Sequence, residues 1–388
     1  MNILWADTAQ RACRDAMLER ALREHKSPLL PLLPDLREQL ALLESEAFSC
    51  GAIAGASIGE LTVPFVLLCG EHILLMEALP GDASAAARCA KSDRLTAAAR
   101  TLTLFHGPSA GKKIHGLVLL DKPQKSDAYK CGMSRVLPLS RLAEYVRALR
   151  PAGEAPSVKE WAAAPCAGND ALLRTRILSG VDAWTKKLFG GWLKDAAEEM
   201  EKLLKMGYRI YHTSDYHAAR EYCAVRFEGT DARYGFVASS KCRNMMAYGA
   251  PRGMGKAQRI PTPEDEGWEQ RWLDPAAPDF CRTFARAGLE TTCGRGTLDF
   301  AILGWGDDMR WAGRWKSKAE PGEVVEPDPD VPVRGGGYNV GSAGNPRRRD
   351  YEALLTCAWG GLVLYLPKAL YIDSSKNALL RAGVLSLF

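Results

Sequence analysis

The sequence predicts an α/β protein built on parallel sheets, and three observations carry that prediction. Residues 205–244 read as a compact strand, helix, strand unit. Two more apolar runs, Gly116–Gln124 and Phe300–Trp305, have strand length and lead into aspartates. Helical stretches separate these runs, the alternation expected of parallel sheets joined by helices.

In the first of these segments, Tyr208 to Tyr211 is an aromatic and β-branched run entered through Met206-Gly207, a helix end followed by a strand. Asp215 to Arg226 has helical spacing, with Tyr216, Ala219, Tyr222, Cys223 and Arg226 on one face and Ser214 or Asp215 as the cap. Glu228 to Asp231 makes a turn and Tyr234 to Ala238 a second strand. Ser239, Ser240 and Lys241 follow at its C-terminal end. Ligands of open parallel sheets sit at the C-terminal ends of strands, so this trio suggests a contact with an anion or phosphodiester; an ordinary solvated loop is the alternative.

A chain of 388 residues holds two or three domains, and a formal charge of +5 permits a nucleic-acid partner without arguing for one. The eleven cysteines are scattered without zinc-ligand spacing and read as reduced thiols in a cytoplasmic protein. Asp7 and Arg11 stand where a signal peptide needs an apolar core. The most apolar run, Leu61 to Leu79, is broken by Glu71-His72, so it predicts a buried hairpin and no membrane span.

Residues 1–48 are helical in character, with Pro28, Pro31 and Pro34 dividing a first helix from a second near Asp35 to Ala47. Glu77 in the hairpin invites a nuclease metal-ligand reading, but Leu79 replaces the lysine such sites need two residues on, and that reading is rejected. Residues 81–100 read as an alanine-rich helix or linker. Phe105 to Lys113 has the glycines and lysine of a phosphate-binding loop, with Gly107, Gly111 and Lys112 as candidates. Its spacing is one residue short and Lys113 replaces the Mg²⁺-binding hydroxyl, so a polar glycine turn is the competing reading. Asp121 ends the next strand, where a nucleoside triphosphatase holds Mg²⁺, but Lys122 replaces the glutamate expected beside it.

Residues 151–170, rich in Pro, Ala and Gly, read as the main linker. Leu173 to Phe189 reads as a strand and a helix, and Asp195 to Leu204 as a helix. Residues 312–349 read as a mobile insertion whose Arg347, Arg348 and Arg349 reach phosphate. Tyr351 to Thr356 starts a helix, Leu362 to Leu366 forms a strand, and Lys376 to Ala382 is the last helix.

Four segments, GYRIYHTSDYHAAREY with RYGFVASSK, LETTCGRGTLDFAILGWGDDMRW, YEALLTCAWGGLVLYLP and ALLRAGV, resemble in order and spacing the second motor lobe of the Schlafen group 3-like DNA/RNA helicase domain family. The resemblance is dense from Leu173 to Val384 and much weaker at Gly116 to Gln124. It implies a RecA-like P-loop NTPase fold, complete in a C-terminal lobe at residues 171–388 and degenerate in a remnant at residues 101–170, after a helical and hairpin region at residues 1–100. It implies ATP and Mg²⁺ as cofactors and single-stranded DNA or RNA as partner. Lys112 would touch phosphate and Asp121 the metal; Thr291, Gly296 and Asp299 would couple nucleotide to strand; Ser239, Ser240 and Lys241 would lie near the nucleic acid. The family's coupling motif, Gln-Gly-Leu-Glu-Leu-Asp, here has Arg295 before Gly296, and its Leu-Leu-Thr-Arg-Gly-Arg segment is Leu354-Leu355-Thr356-Cys357-Ala358-Trp359. Both arginines are gone, and loss of an arginine finger typically costs about 10³ to 10⁵ in turnover. The resemblance thus implies helicase-like translocation with impaired hydrolysis. The alternative is a non-catalytic descendant that binds single strands through Arg347 to Arg349, with Trp311 or Trp315 as stacking platforms.

Overall fold

The computed structural model describes residues 11–24, 26–45, 50–58, 61–104, 112–122, 130–131, 134–151, 170–242, 267–278, 280–318, 338–340, 346–369 and 372–387. The chain divides into two units, Met1–Gly168 with Ala224–Thr230, and Asn169–Cys223 with Asp231–Phe388.

In the first unit, α1 (Arg11–Glu24) and α2 (Leu33–Ser45) precede β1 (Cys50–Ile58), β2 (Leu61–Cys69) and β3 (His72–Leu79). Helix α3 (Ala85–Leu104) leads to β4 (Lys113–Leu120), β5 (Lys130–Cys131), β6 (Ser134–Pro138) and α4 (Leu142–Leu149). The six strands run in the order β1-β2-β3-β4-β6-β5. The predicted hairpin is β2 and β3, antiparallel to each other, and β1 extends it by another antiparallel pairing. α3 then carries the chain back so that β4 pairs parallel to β3, and β6 lies parallel to β4. This sheet is mixed, which corrects the expectation of a parallel sheet in each half. It also runs unbroken across residue 100, because the apolar alternation of β3 and β4 fits the same two layers. Leu117 and Leu119 pack with Leu74 and Met76 beneath α1, α2 and α4, whereas Val118 and Leu120 pack with Ile73 and Leu75 against Leu95 and Ala98 of α3.

The second unit opens with α5 (Asp170–Phe189), one continuous helix where a strand and a helix were expected. Helix α6 (Leu193–Met206) ends on Gly207 at φ 94°, a left-handed cap that only glycine adopts freely, and the chain turns into β7 (Arg209–Thr213). α7 (Tyr216–Arg226) is capped by Asp215, whose Oδ1 accepts the N–H groups of His217 and Ala218 at 2.8 and 3.1 Å. β8 (Tyr234–Ala238), α8 (Trp268–Arg271) and β9 (Phe300–Gly304) follow. β10 (Met309–Trp311), β11 (Trp315–Lys318) and β12 (Tyr338–Val340) form a small antiparallel sheet. The unit closes with α9 (Pro346–Leu355), β13 (Gly361–Tyr365), α10 (Asp373–Arg381) and β14 (Leu385–Ser386).

Its main sheet is entirely parallel, in the order β14-β7-β13-β9-β8. Strands β7, β8, β9 and β13 are buried at every position, as a sheet covered on both faces requires. The tryptophans of this core bury their rings and still satisfy their indole N–H: Trp184 donates to the Ala382 carbonyl at 3.0 Å and Trp315 to that of Leu188 at 2.8 Å. Trp315 is therefore a core residue and no stacking platform. The segment expected to be a mobile insertion contains β11, β12 and the start of α9, while residues 319–337 and 341–345, like the 152–169 portion of the expected linker, lie outside the described residues.

Candidate functional site

Strand geometry decides the fate of the expected nucleotide centre. Lys112 immediately precedes β4 and Asp121 immediately follows it, and β4 has 8 residues. At about 3.3 Å per residue, the two residues stand roughly 30 Å apart at opposite ends of one strand. A triphosphate lysine and a Mg²⁺ ligand have to meet on the same β- and γ-phosphates. Lys112 and Asp121 do not fit one Mg²⁺–ATP centre. Asp121 instead holds a turn, its Oδ1 accepting the Gly81 N–H at 2.5 Å. Gly107 and Gly111 lie outside the described residues. Among the described residues, no group of three or more His, Cys, Asp or Glu is placed to hold a metal ion.

In the second unit, the expected site residues separate to the two ends of the parallel sheet. At the C-terminal end of β8, Ser239 is fully buried and Lys241 is exposed. Ser240 donates its backbone N–H to Glu290 Oε2 at 2.9 Å and its hydroxyl to Glu290 Oε1. Both Ser240 donors, predicted to meet a phosphodiester, are thus held by a carboxylate of the chain itself. Around them lies a polar cluster that sequence reasoning missed. Tyr351 donates its hydroxyl to Asp308 Oδ1 at 2.7 Å and accepts the Gly306 N–H at 3.0 Å. Burial raises the Asp308 pKa, while bonds from Ser239 and Tyr351 and the charge of Arg347 oppose the rise. Burial, with the negative charge of Glu290, lifts Asp350 to about 6 against the pull of Arg347. The sequence signal was weak: Asp307 and Asp308 stand out after β9, but nothing local says that Glu290 and α9 converge there.

The three arginines are not a basic loop. They open α9, where Pro346 suits the first turn because its missing N–H costs no helical bond. Arg347 is buried and faces Asp350 Oδ2 at 3.3 Å. Arg348 pairs with Glu352 at 2.8 Å and lies over the Phe189 ring. Of the three, only Arg349 is exposed.

At the opposite end of the sheet, Asp299 precedes β9. Its Oδ1 accepts from Trp359 Nε1 at 2.8 Å and from Arg174 Nη2 at 3.1 Å, and its Oδ2 accepts the Arg233 N–H at 2.6 Å. The Arg174 guanidinium lies 4.3 Å from the Trp359 ring centroid, so cation, ring and carboxylate form one assembly. Asp299 therefore ties the starts of β8, β9 and β13 to α5, the work of an anchor. Gly296, at φ +65°, donates its N–H to the Thr356 carbonyl at 2.9 Å, and a Cβ there would meet Leu178 at 2.8 Å. Thr291 is exposed in the turn after Glu290. Cys357, which stands where the helicase resemblance has an arginine, is wholly buried, and burial pushes its thiol up to about 12. An arginine finger needs a guanidinium that reaches the transferring phosphoryl group, and this position is core.

Comparison of the chain with protein-family models, curated proteins and solved structures finds no match.

Proposed function

We propose that this chain binds single-stranded DNA or RNA through its second unit, as a helicase-like lobe that does not turn over ATP. The observation that carries the proposal is the placement of Lys112 and Asp121 at opposite ends of β4, which keeps these two residues from sharing one phosphate and metal centre. The buried Cys357 supports it, because charge on a transferring phosphoryl group would go unmatched there. The RecA-like part of the reading rests on the all-parallel sheet with its intervening helices and on the resemblance of residues 173–384. Lys241 supports a contact surface beyond the C-terminal end of β8, where open parallel sheets carry their ligands. Arg349 is the second exposed cation from the predicted set.

Fluorescence anisotropy with labelled single-stranded DNA and RNA, over a salt series and with and without ATP and Mg²⁺, tests the proposal. The expected result is binding that weakens with salt and ignores nucleotide. Each phosphate contact contributes a slope of about −0.7 in log K against log salt, so Lys241→Ala should flatten the slope by about that amount. Absence of binding at low salt, or binding gated by ATP, would contradict it.

A further inference from the structure

Cys50 opens β1 and Cys69 closes β2, and the antiparallel register sets them directly opposite each other. Opposed residues on antiparallel neighbours share a face, with Cβ atoms about 4.5–5.5 Å apart. Here the two Sγ atoms lie 2.9 Å apart, and neither cysteine is in a disulfide. A disulfide bond brings sulfurs to about 2.05 Å, so closure asks for a shift of about 0.9 Å between side chains that already face each other. Cys69 is buried and Cys50 half-buried, which gives solvent a way in from the Cys50 side. The hydrogen bond from Cys50 holds the Cys69 thiol below its ordinary value, against the effect of burial. Cys281 and Cys357 differ: burial pushes each of those thiols up to about 12. Thiolate character and access set which cysteines oxidise, and here Cys69 supplies the first and Cys50 the second.

We propose that Cys50 and Cys69 are a reversible dithiol–disulfide pair that a peroxide or a low-molecular-weight disulfide closes. With hydrogen peroxide, the Cys50 sulfur on the accessible side attacks one oxygen as its thiol proton leaves, the O–O bond breaks, and the departing hydroxide takes up that proton as water. The Cys50 sulfenic acid is then attacked at sulfur by the Cys69 thiolate; the S–O bond breaks and hydroxide leaves, taking up the second thiol proton as a second water. Two thiols and one peroxide give one disulfide and two waters, and the peroxide takes both electrons. With glutathione disulfide, the first attack releases one glutathione and the second thiol displaces the other. The bond clips β1, the outer strand of its sheet, to β2. An outer strand is held on one side only, so it is where such a clip changes local opening most.

The test uses the full chain. It is treated with hydrogen peroxide, its remaining thiols are blocked with N-ethylmaleimide, and it is digested without reduction for mass spectrometry. The expected result is a cross-linked peptide joining Cys50 to Cys69, lost on treatment with dithiothreitol, together with an intact mass lower by two hydrogens. Hydrogen exchange of β1 should slow in the oxidised form, and Cys50→Ser and Cys69→Ser should each lack both changes. Alkylation of both cysteines after peroxide treatment would overturn the proposal, as would cross-links from either one to another cysteine. The cross-link is read in the unmodified sequence, so misfolding of a variant does not decide the outcome.

Discussion

Glu77 shows at the scale of one residue why chemistry-bearing side chains are hard to interpret from sequence. It lies on β3 with no exposed surface, its Oε2 3.1 Å from Lys91 Nζ and its Oε1 3.0 Å from Arg94 Nε, both reaching in from α3. Burial raises its pKa, and the two cations pull it back. The missing lysine at position 79 ruled out a nuclease site; a lysine does stand beside Glu77, but in a dry interior as an ion-pair partner. Lys91, Ser92, Asp93 and Arg94 are all buried, a polar run whose side-chain types alone would place it in solvent. Glu77→Ala leaves Lys91 its bond to Glu228 and Arg94 its bonds to the Glu228 and Thr62 carbonyls but removes the carboxylate between two buried cations, so it should lower stability by up to about 3–5 kcal/mol in urea unfolding. A loss below about 1 kcal/mol would mean that water reaches Lys91 and Arg94 freely.

At the scale of elements, legibility followed side-chain type. β7, α7 and β8 were plain because Tyr, Ile, Phe and Val alternate with helical spacing and Asp215 marks the cap. β1 was not foreseen: its sequence CGAIAGASI is mostly small residues with little β propensity, and the sheet it joins makes it a strand. α5 was split in expectation because Ile177 and Leu178 look like a strand core, whereas Val181, Trp184 and Leu188 continue the same buried helical face. α9 hid behind a stretch rich in Gly and Pro, and with it the true setting of Arg347 to Arg349. β4 was expected to start at Gly116 and to end in Asp121; it starts at Lys113 instead, and its length separates Lys112 from Asp121. Gly361 gives this scale its prediction. It starts β13, the central strand between β7 and β9, at φ 142°, and a Cβ would lie 2.1 Å from the Arg209 carbonyl oxygen. Gly361→Ala combines backbone strain with a clash against main chain, and should cost about 2–4 kcal/mol in thermal or urea unfolding. A neutral result would show that β7 and β13 yield at that point.

At the scale of the whole molecule, two half-buried groups, one in each unit, respond to acid with opposite signs. In the first, His72 Nδ1 lies 2.9 Å from His115 Nε2, and burial, reinforced by His72, lowers His115 to about 4. Between about pH 6.5 and 4 the unfolded chain takes up this proton and the folded form does not, so the stability that His115 contributes is lost as pH falls through that window. In the second unit, Asp350 is raised to about 6 from its ordinary 3.8. There the folded form holds the proton more tightly, and the contribution of Asp350 to stability rises as pH falls from about 6 to 4. Each group is only about half buried, so each effect is about 1–2 kcal/mol once solvent screening is allowed for. Thermal unfolding followed by Trp184, Trp272, Trp305 and Trp315, all buried in the second unit, should lose its acid-side gain in Asp350→Asn. Hydrogen exchange in β3 and β4 should show the first unit loosening at pH 5, and less so in His115→Gln.

The central claim, a helicase-like lobe without a working nucleotide centre, meets its most direct test in ATP hydrolysis by the purified chain, with and without single-stranded DNA and RNA, beside Lys112→Ala and Asp121→Ala. The account predicts no strand-stimulated turnover and no difference among the three proteins. Stimulated hydrolysis abolished by both substitutions would contradict it, because residues at opposite ends of β4 would then be serving one reaction.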